Sequence, residues 1–142
     1  MKRVKLVAAA AMITSLAWAQ KINEKEVPIA VKNALHQKYP DAKEVKWEKE
    51  NQYIEAEFDV KKADVSVLFD DQGNIIETEQ EIEINELPKG VVDYVKSHYK
   101  QNIKEAAKIT DAKGTVTYEA EIKGMDLIFD SNGKFLKEIK EK

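Results

Sequence analysis

The sequence predicts an α+β protein built as two tandem repeats, each one helix packed on a four-stranded antiparallel sheet. The first observation is a duplication. Val67-Leu68-Phe69-Asp70-Asp71-Gln72-Gly73-Asn74-Ile75-Ile76 returns sixty positions later as Leu127-Ile128-Phe129-Asp130-Ser131-Asn132-Gly133-Lys134-Phe135-Leu136. The second is the chemistry of each copy: two apolar runs joined through an aspartate and a glycine three residues on, the composition of a β-hairpin tip. The third is periodicity. Each copy follows a segment with apolar residues at helical spacing and then segments of strict alternation.

Taken from the start, Met1-Lys2-Arg3-Val4-Lys5 is a basic head, Leu6 to Leu16 an apolar stretch, and Ala17-Trp18-Ala19 an A-x-A cleavage site. Together they predict a signal peptide over 1–19, cleaved after Ala19 so that the exported chain begins at Gln20. The apolar stretch is too short to span a bilayer, and no later stretch qualifies, so the protein is not expected to span the membrane. The chain has no cysteine, hence no lipobox and no disulfide. Packing alone must hold the fold, although an exported protein could form disulfides.

The first repeat is assigned to residues 20–81 and the second to 82–142. Pro28 and Pro88 stand at equivalent points, where a missing N–H is tolerated in a first helical turn. Val31, Ala34, Leu35 and Tyr39 then form one apolar stripe, matched by Val91, Tyr94, Val95 and Tyr99. Pro40 closes the first helix, while Lys100 to Lys108 leaves room for one extra turn in the second.

Strands follow the helix. Val45 and Trp47 alternate with Lys46 and Glu48; Ile54, Ala56, Phe58 and Val60 with Tyr53, Glu55, Glu57 and Asp59; Val65, Val67 and Phe69 with Asp64, Ser66 and Leu68. A period of two with one apolar face marks half-buried antiparallel strands. Ile75 to Ile84 reads as a long last strand with Ile76, Ile82 and Ile84 inward. Val45 aligns with Ile109 and Tyr53 with Thr117, a shift of sixty-four that returns to sixty after a shorter hairpin at Lys123-Gly124. Such length changes fall in loops. Because a unit of about sixty residues buries little surface, the two are expected to share one core.

The formal charge is −3, and loss of Lys2, Arg3 and Lys5 on cleavage makes it −6. An acidic exported chain is a poor match for nucleic acid or anionic lipid.

The order of helix, Tyr39-Pro40, a strand carrying Trp47, Tyr53-x-Glu55-Ala56-Glu57 and Phe69-Asp70-x-x-Gly73, duplicated behind a signal peptide, resembles the PepSY-like, β-lactamase-inhibitor-like periplasmic proteins of Gram-negative bacteria. The resemblance spans about Ile22 to Ile139. It implies a periplasmic location, two helix-plus-sheet repeats whose bare sheet faces form a concave surface, and a non-enzymatic role gripping a protein partner. An extracytoplasmic enzyme would be one such partner. The chain departs from the pattern in lacking cysteine and in carrying Ile75 and Phe135 where the family often has Trp, which points away from β-lactamase itself as the target.

The residues themselves supply candidate binding positions. Glu55 with Glu57, and Glu119 with Glu121, put two carboxylates on one side of a strand, roughly 6–7 Å apart. That separation suits a solvated sheet face with Lys46 as counter-charge, a partner-facing acidic surface, acid/base chemistry, or a cation. Tyr53, Leu68 and Ile128 are expected on the same bare faces, with Ile75 and Phe135 beside them if the hairpins close on two or four residues; a three-residue loop would turn those two inward. Thr117 stands where the first repeat has Tyr53. The partner-binding candidates are therefore Tyr53, Glu55, Glu57, Leu68, Ile75, Thr117, Glu119, Glu121, Ile128 and Phe135.

No catalytic or metal residue is assigned, and no cofactor. Asp70-x-x-Gly73 and Asp130-x-Asn132-Gly133 put glycine fourth rather than sixth, so they are turns and not EF-hand loops. His36 and His98 are not at equivalent positions and read as surface residues. Ser66, Ser97 and Ser131 lack a nucleophile-elbow context. The expected function is a non-enzymatic binding module, with a cation or small-ligand binder as the alternative.

Overall fold

The computed structural model describes residues 19–141, so the signal-peptide assignment lies outside the described residues except for Ala19. These residues form an α+β protein with two α-helices and nine antiparallel strands. They divide into two compact units between Glu79 and Gln80.

In the first unit, β1 (Gln20–Ile22), β2 (Lys46–Glu50), β3 (Tyr53–Val60) and β4 (Ala63–Phe69) are sheet neighbours in chain order, with α1 (Ile29–Lys38) between β1 and β2. β5 (Ile75–Ile82) follows β4 and runs across the division. Val31 and Leu35 of α1 are buried against Trp47, Ile54, Ala56, Phe58, Val65, Val67 and Phe69, so the helix covers the face on which alternation put the apolar residues. Tyr39 seals the helix end, its ring edge-on to Phe58 at 4.9 Å. The strand β1 has no periodic signal of its own; three residues reveal no alternation, and pairing of Ile22 with Trp47 is what defines it.

The second unit contains α2 (Val91–Tyr99), β6 (Glu105–Asp111), β7 (Val116–Ile122), β8 (Met125–Asp130) and β9 (Phe135–Lys140). Val91 and Val95 pack on Ala106, Ala120, Ile122, Leu127 and Phe129. Each unit thus buries an apolar cluster beneath its own helix. One helix stripe and one strand face are enough to enclose the two largest buried side chains, Phe69 and Phe129, both with no exposed surface.

The duplication extends to details. A short 3-10 turn precedes each helix, Glu24–Glu26 and Ile84–Glu86. In each, a glutamate reaches back to the backbone: the N–H groups of Asn23 and Glu83 donate to the Oε2 atoms of Glu26 and Glu86, both at 2.8 Å. The extra helical turn allowed after Tyr99 does not form. Lys100 adopts a left-handed conformation (φ 56°) that ends α2, and β6 begins at Glu105.

The hairpin tips close as three-residue loops. Asp70 N–H donates to Asn74 O (3.0 Å) and Gly73 N–H to Asp70 O (3.1 Å), with Gly73 at φ 85°. Asp130, Gly133 and Lys134 repeat the geometry. Each aspartate Oδ1 accepts two backbone N–H groups, those of Gln72 and Asn74 for Asp70 and those of Asn132 and Lys134 for Asp130. Asp111 builds the same turn with Lys113 and Thr115. The aspartates organise turns, as expected from the position of the glycine.

A three-residue loop ending in a left-handed glycine brings a bulge with it. Phe129 stands opposite Phe135, but Ile128 opposite Lys137, so Leu136 is the bulged residue. This shifts the facing of the last strands. In β5 the buried residues are Glu77 and Glu79, whereas Ile76 and Ile82 are half-buried and Ile84 is exposed beyond the strand end. Of the inward set expected at Ile76, Ile82 and Ile84, Ile82 does pack on the apolar cluster of the second unit, whereas Ile84 is exposed and the fully enclosed positions of β5 are Glu77 and Glu79.

Candidate functional site

Strand pairing assembles the face of the first unit opposite its helix. Because side chains i and i+2 share a face, Tyr53, Glu55 and Glu57 line up along β3. Across to β2, Glu50 stands opposite Tyr53, Glu48 opposite Glu55 and Lys46 opposite Glu57. Across to β4, Leu68 stands opposite Glu55 and Ser66 opposite Glu57. Tyr39 on the helix side bonds the Thr78 side chain, so Glu77 and Glu79 lie on the other face, with Glu55 and Ser66. In the second unit, Thr117 is flanked by Ile109 and Asp130, Glu119 by Ala107 and Ile128, and Glu121 by Glu105 and Asp126.

Burial revises several candidates. Leu68 (4 % exposed), Ile128 (1 %), Glu55 (4 %) and Glu119 (6 %) do face away from the helix side but are closed off from solvent. They are therefore neither open apolar anchors nor a solvated rim. Ile75 and Phe135 face the other way. Ile75 packs on the α1 core, and Phe135 stacks on Tyr94 of α2 at 5.2 Å and meets Phe129 edge-on at 5.7 Å. The three-residue loop and its bulge turn both inward. Tyr53, Glu57, Thr117 and Glu121 remain partly accessible.

The structure adds residues that alternation did not single out. Glu48, Glu55 and Glu57 have carboxylate oxygens all within 4.8 Å of one another, as do Glu121, Asp126 and Glu141. Glu77, Glu79 and Asp126 are buried acidic residues. The glycine in the third loop position was the signal that could have predicted the β5 pair, through the bulge it implies.

Ser66 donates its hydroxyl hydrogen to Glu55 Oε1. Burial pushes the Glu55 carboxyl up from 4.5 to about 7; the Ser66 bond opposes the rise, and the charges of Glu57, Glu50 and Glu48 add to it. Glu50 is raised too, first by burial and then by Glu48. Like charges so close favour the protonated acid.

Ser97 Oγ and His98 Nδ1 lie 3.0 Å apart, but both also contact the Tyr94 carbonyl on the exposed end of α2, and the His98 ring stacks on Tyr94 at 3.9 Å. This is a capped helix end, with neither residue set in a cleft. Among the described residues no helix is long and apolar enough to cross a membrane.

These features define a class first: helix-covered antiparallel sheets whose opposite faces carry clustered carboxylates. Within that class, the chain belongs to the PepSY-like family, described as “Putative beta-lactamase-inhibitor-like, PepSY-like”, which it matches in two segments, residues 16–77 and 67–137. Solved structures resemble it. A BLIP-like protein from Bacteroides fragilis NCTC 9343 is 26 % identical, with a TM-score of 0.62 over 78 % of this chain and 84 % of that one. One of the “putative periplasmic proteins” of Bacteroides eggerthii DSM 20697 shares the fold at 18 % identity, TM-score 0.69, over 80 % and 88 % of the two chains. A DUF2874 family protein from Bacteroides uniformis ATCC 8492 does so at 21 % identity, TM-score 0.68, with the same coverage. No curated protein sequence matches the chain.

Proposed function

We propose that this protein is an exported, non-enzymatic binding module, made of two helix-on-four-strand repeats, that holds a protein partner through its acidic sheet faces. The observation that carries the reading is the partly accessible strip of the first unit, where Tyr53 stands opposite Glu50 and Glu57 continues the row. An aromatic ring bordered by carboxylates suits a basic partner surface, the ring supplying contact area and the charges steering association. Membership of an inhibitor-like family and the description of a structural relative as periplasmic support the same reading. In the second unit Thr117 and Glu121 are the corresponding accessible positions.

The test is capture from a periplasmic extract on immobilised full-length chain lacking residues 1–19, followed by affinity measurement on the captured protein. Tyr53→Ala is expected to weaken binding by about 1–3 kcal/mol. Glu57→Gln with Glu121→Gln is expected to slow association and flatten its salt dependence. Full affinity in Tyr53→Ala, with loss on changing the helix residues Lys32 or Lys96, would overturn the assignment. Intact mass of the exported protein tests cleavage after Ala19.

A second reading, cation binding, is favoured by the proximity of Glu48, Glu55 and Glu57. Calcium that binds there stabilises the fold by mass action; a melting temperature unmoved by millimolar calcium would dismiss it.

A further inference from the structure

The cleavage site and the first repeat meet at Gln20. With the offset of sixty that aligns Pro28 with Pro88, Gln20-Lys21-Ile22 aligns with Gln80-Glu81-Ile82. In the second copy these residues end the eight-residue strand β5 (Ile75–Ile82). In the first copy they are the whole of β1, because residues 15–19, the counterparts of 75–79, belong to the leader read from the sequence. Removal of that leader after Ala19 makes the first residue of the chain also the first residue of a strand.

That strand lies at the edge of the sheet. Gln20 is paired opposite Lys49, Lys21 opposite Glu48 and Ile22 opposite Trp47. Ile22 packs on the α1 core, whereas the Gln20 side chain is exposed. The ladder therefore holds the backbone of Gln20 and leaves its amide in solvent. An α-ammonium on this residue would stand across the ladder from Lys49, and like charges placed opposite one another disfavour pairing. A strand of three residues also has none to spare: loss of Gln20 alone would leave Lys49 without its partner.

A glutamine with a free α-amine can reach its own side-chain carbonyl carbon in a five-membered ring. We propose that Gln20 is a modification site, at which the exported chain closes its N-terminus as pyroglutamate. The α-nitrogen, as the neutral amine, attacks Cδ. The N–Cδ bond forms, the Cδ–Nε2 bond breaks, and Nε2 leaves as ammonia with the proton that the α-nitrogen gives up. No oxidant or co-substrate enters. The lactam is uncharged but keeps one N–H, so β1 sheds the positive charge opposite Lys49 and retains a backbone donor. It also denies an aminopeptidase the amine that such an enzyme grips. Ring closure involves only the exposed side chain and the terminal nitrogen, which leaves Lys21 and Ile22 in register. Gln80 is the built-in contrast, since its nitrogen already belongs to a peptide bond within β5. The proposal rests on the reading of the protein as exported and cleaved after Ala19.

The experiment uses the full precursor, residues 1–142, expressed in cells that export it. The exported protein is purified, kept folded at neutral pH and sampled over days. Intact mass is followed together with amine-specific labelling of the N-terminal peptide. The expected result is a chain of residues 20–142 lighter by one ammonia, whose N-terminal peptide takes no label. Gln20→Asn, whose shorter side chain could close only a strained four-membered ring, is expected to keep its full mass and to take the label. A chain that begins at Gln20 and keeps both its full mass and its label throughout would overturn the proposal while leaving cleavage after Ala19 standing. An N-terminal peptide that begins at any other residue would overturn the cleavage reading, and the proposal with it.

Discussion

The hairpin tip at Gly133 offers a test of why the duplicated motif needs glycine. Gly133 has φ 85°, and a Cβ built on it would lie 2.8 Å from the Lys89 carbonyl oxygen and 3.2 Å from Pro88 Cβ, at the entry to α2. Gly124, in the same unit, has nearly the same backbone (φ 79°) with nothing within 4 Å of such a Cβ. Alanine at either position incurs the left-handed penalty, about 1–2 kcal/mol. Only at Gly133 must the tip also move away from the backbone that starts the helix, a packing cost of about 1–3 kcal/mol. Gly124→Ala is therefore expected to lose about 1–2 kcal/mol and Gly133→Ala about 2–5 kcal/mol. Urea unfolding measures both, as a lower midpoint at unchanged slope. Equal losses would show that the tip does not rest on the helix and that the glycine serves the turn alone. Gly73→Ala, whose Cβ would come 2.6 Å from the Ala30 carbonyl oxygen, is the first-unit counterpart.

Three further outcomes are expected of the same fold. Because the Glu55 carboxyl is raised from 4.5 to about 7 on folding, the folded state holds the proton more tightly than the unfolded one. Stability should then be full below about pH 4.5 and fall as pH rises through 7. At about 1.4 kcal/mol per unit the loss comes to about 3 kcal/mol, and Glu55→Gln should abolish it in urea melts across that range; an unchanged pH dependence would contradict the shift. Phe69→Ala and Phe129→Ala empty fully enclosed sites and should each cost about 3–5 kcal/mol in chemical denaturation, whereas a loss under about 1 kcal/mol would mean the clusters collapse around the gap. Lys61 and Lys62 close the β3–β4 hairpin with both φ positive, 50° and 69°, so replacing them with Asn-Gly should raise stability by about 1–2 kcal/mol, and a lower urea midpoint would refute that strain.

The sequence by itself determined the fold class, the helix stripes and the duplication, because each is a local pattern. Val31 and Leu35, or Val91 and Val95, fall on one side of a helix whatever surrounds them, and Ile54, Ala56 and Phe58 fall on one side of a strand. The family followed from the order of those patterns. Tertiary structure decided which face of each hairpin's return strand points inward: the three-residue loop turns Ile75 and Phe135 toward the helix, and the bulged residue that goes with it reverses the period of two beyond them, which puts Glu77 and Glu79 among the buried residues. It also decided that Leu68, Ile128, Glu55 and Glu119 are buried. Alternation separates the two sides of a strand, but solvent access to a side depends on what the rest of the chain lays over it. For that reason Glu55, indistinguishable in sequence from the accessible Glu57 two residues on, is enclosed against Ser66, and burial pushes its carboxyl up to about 7.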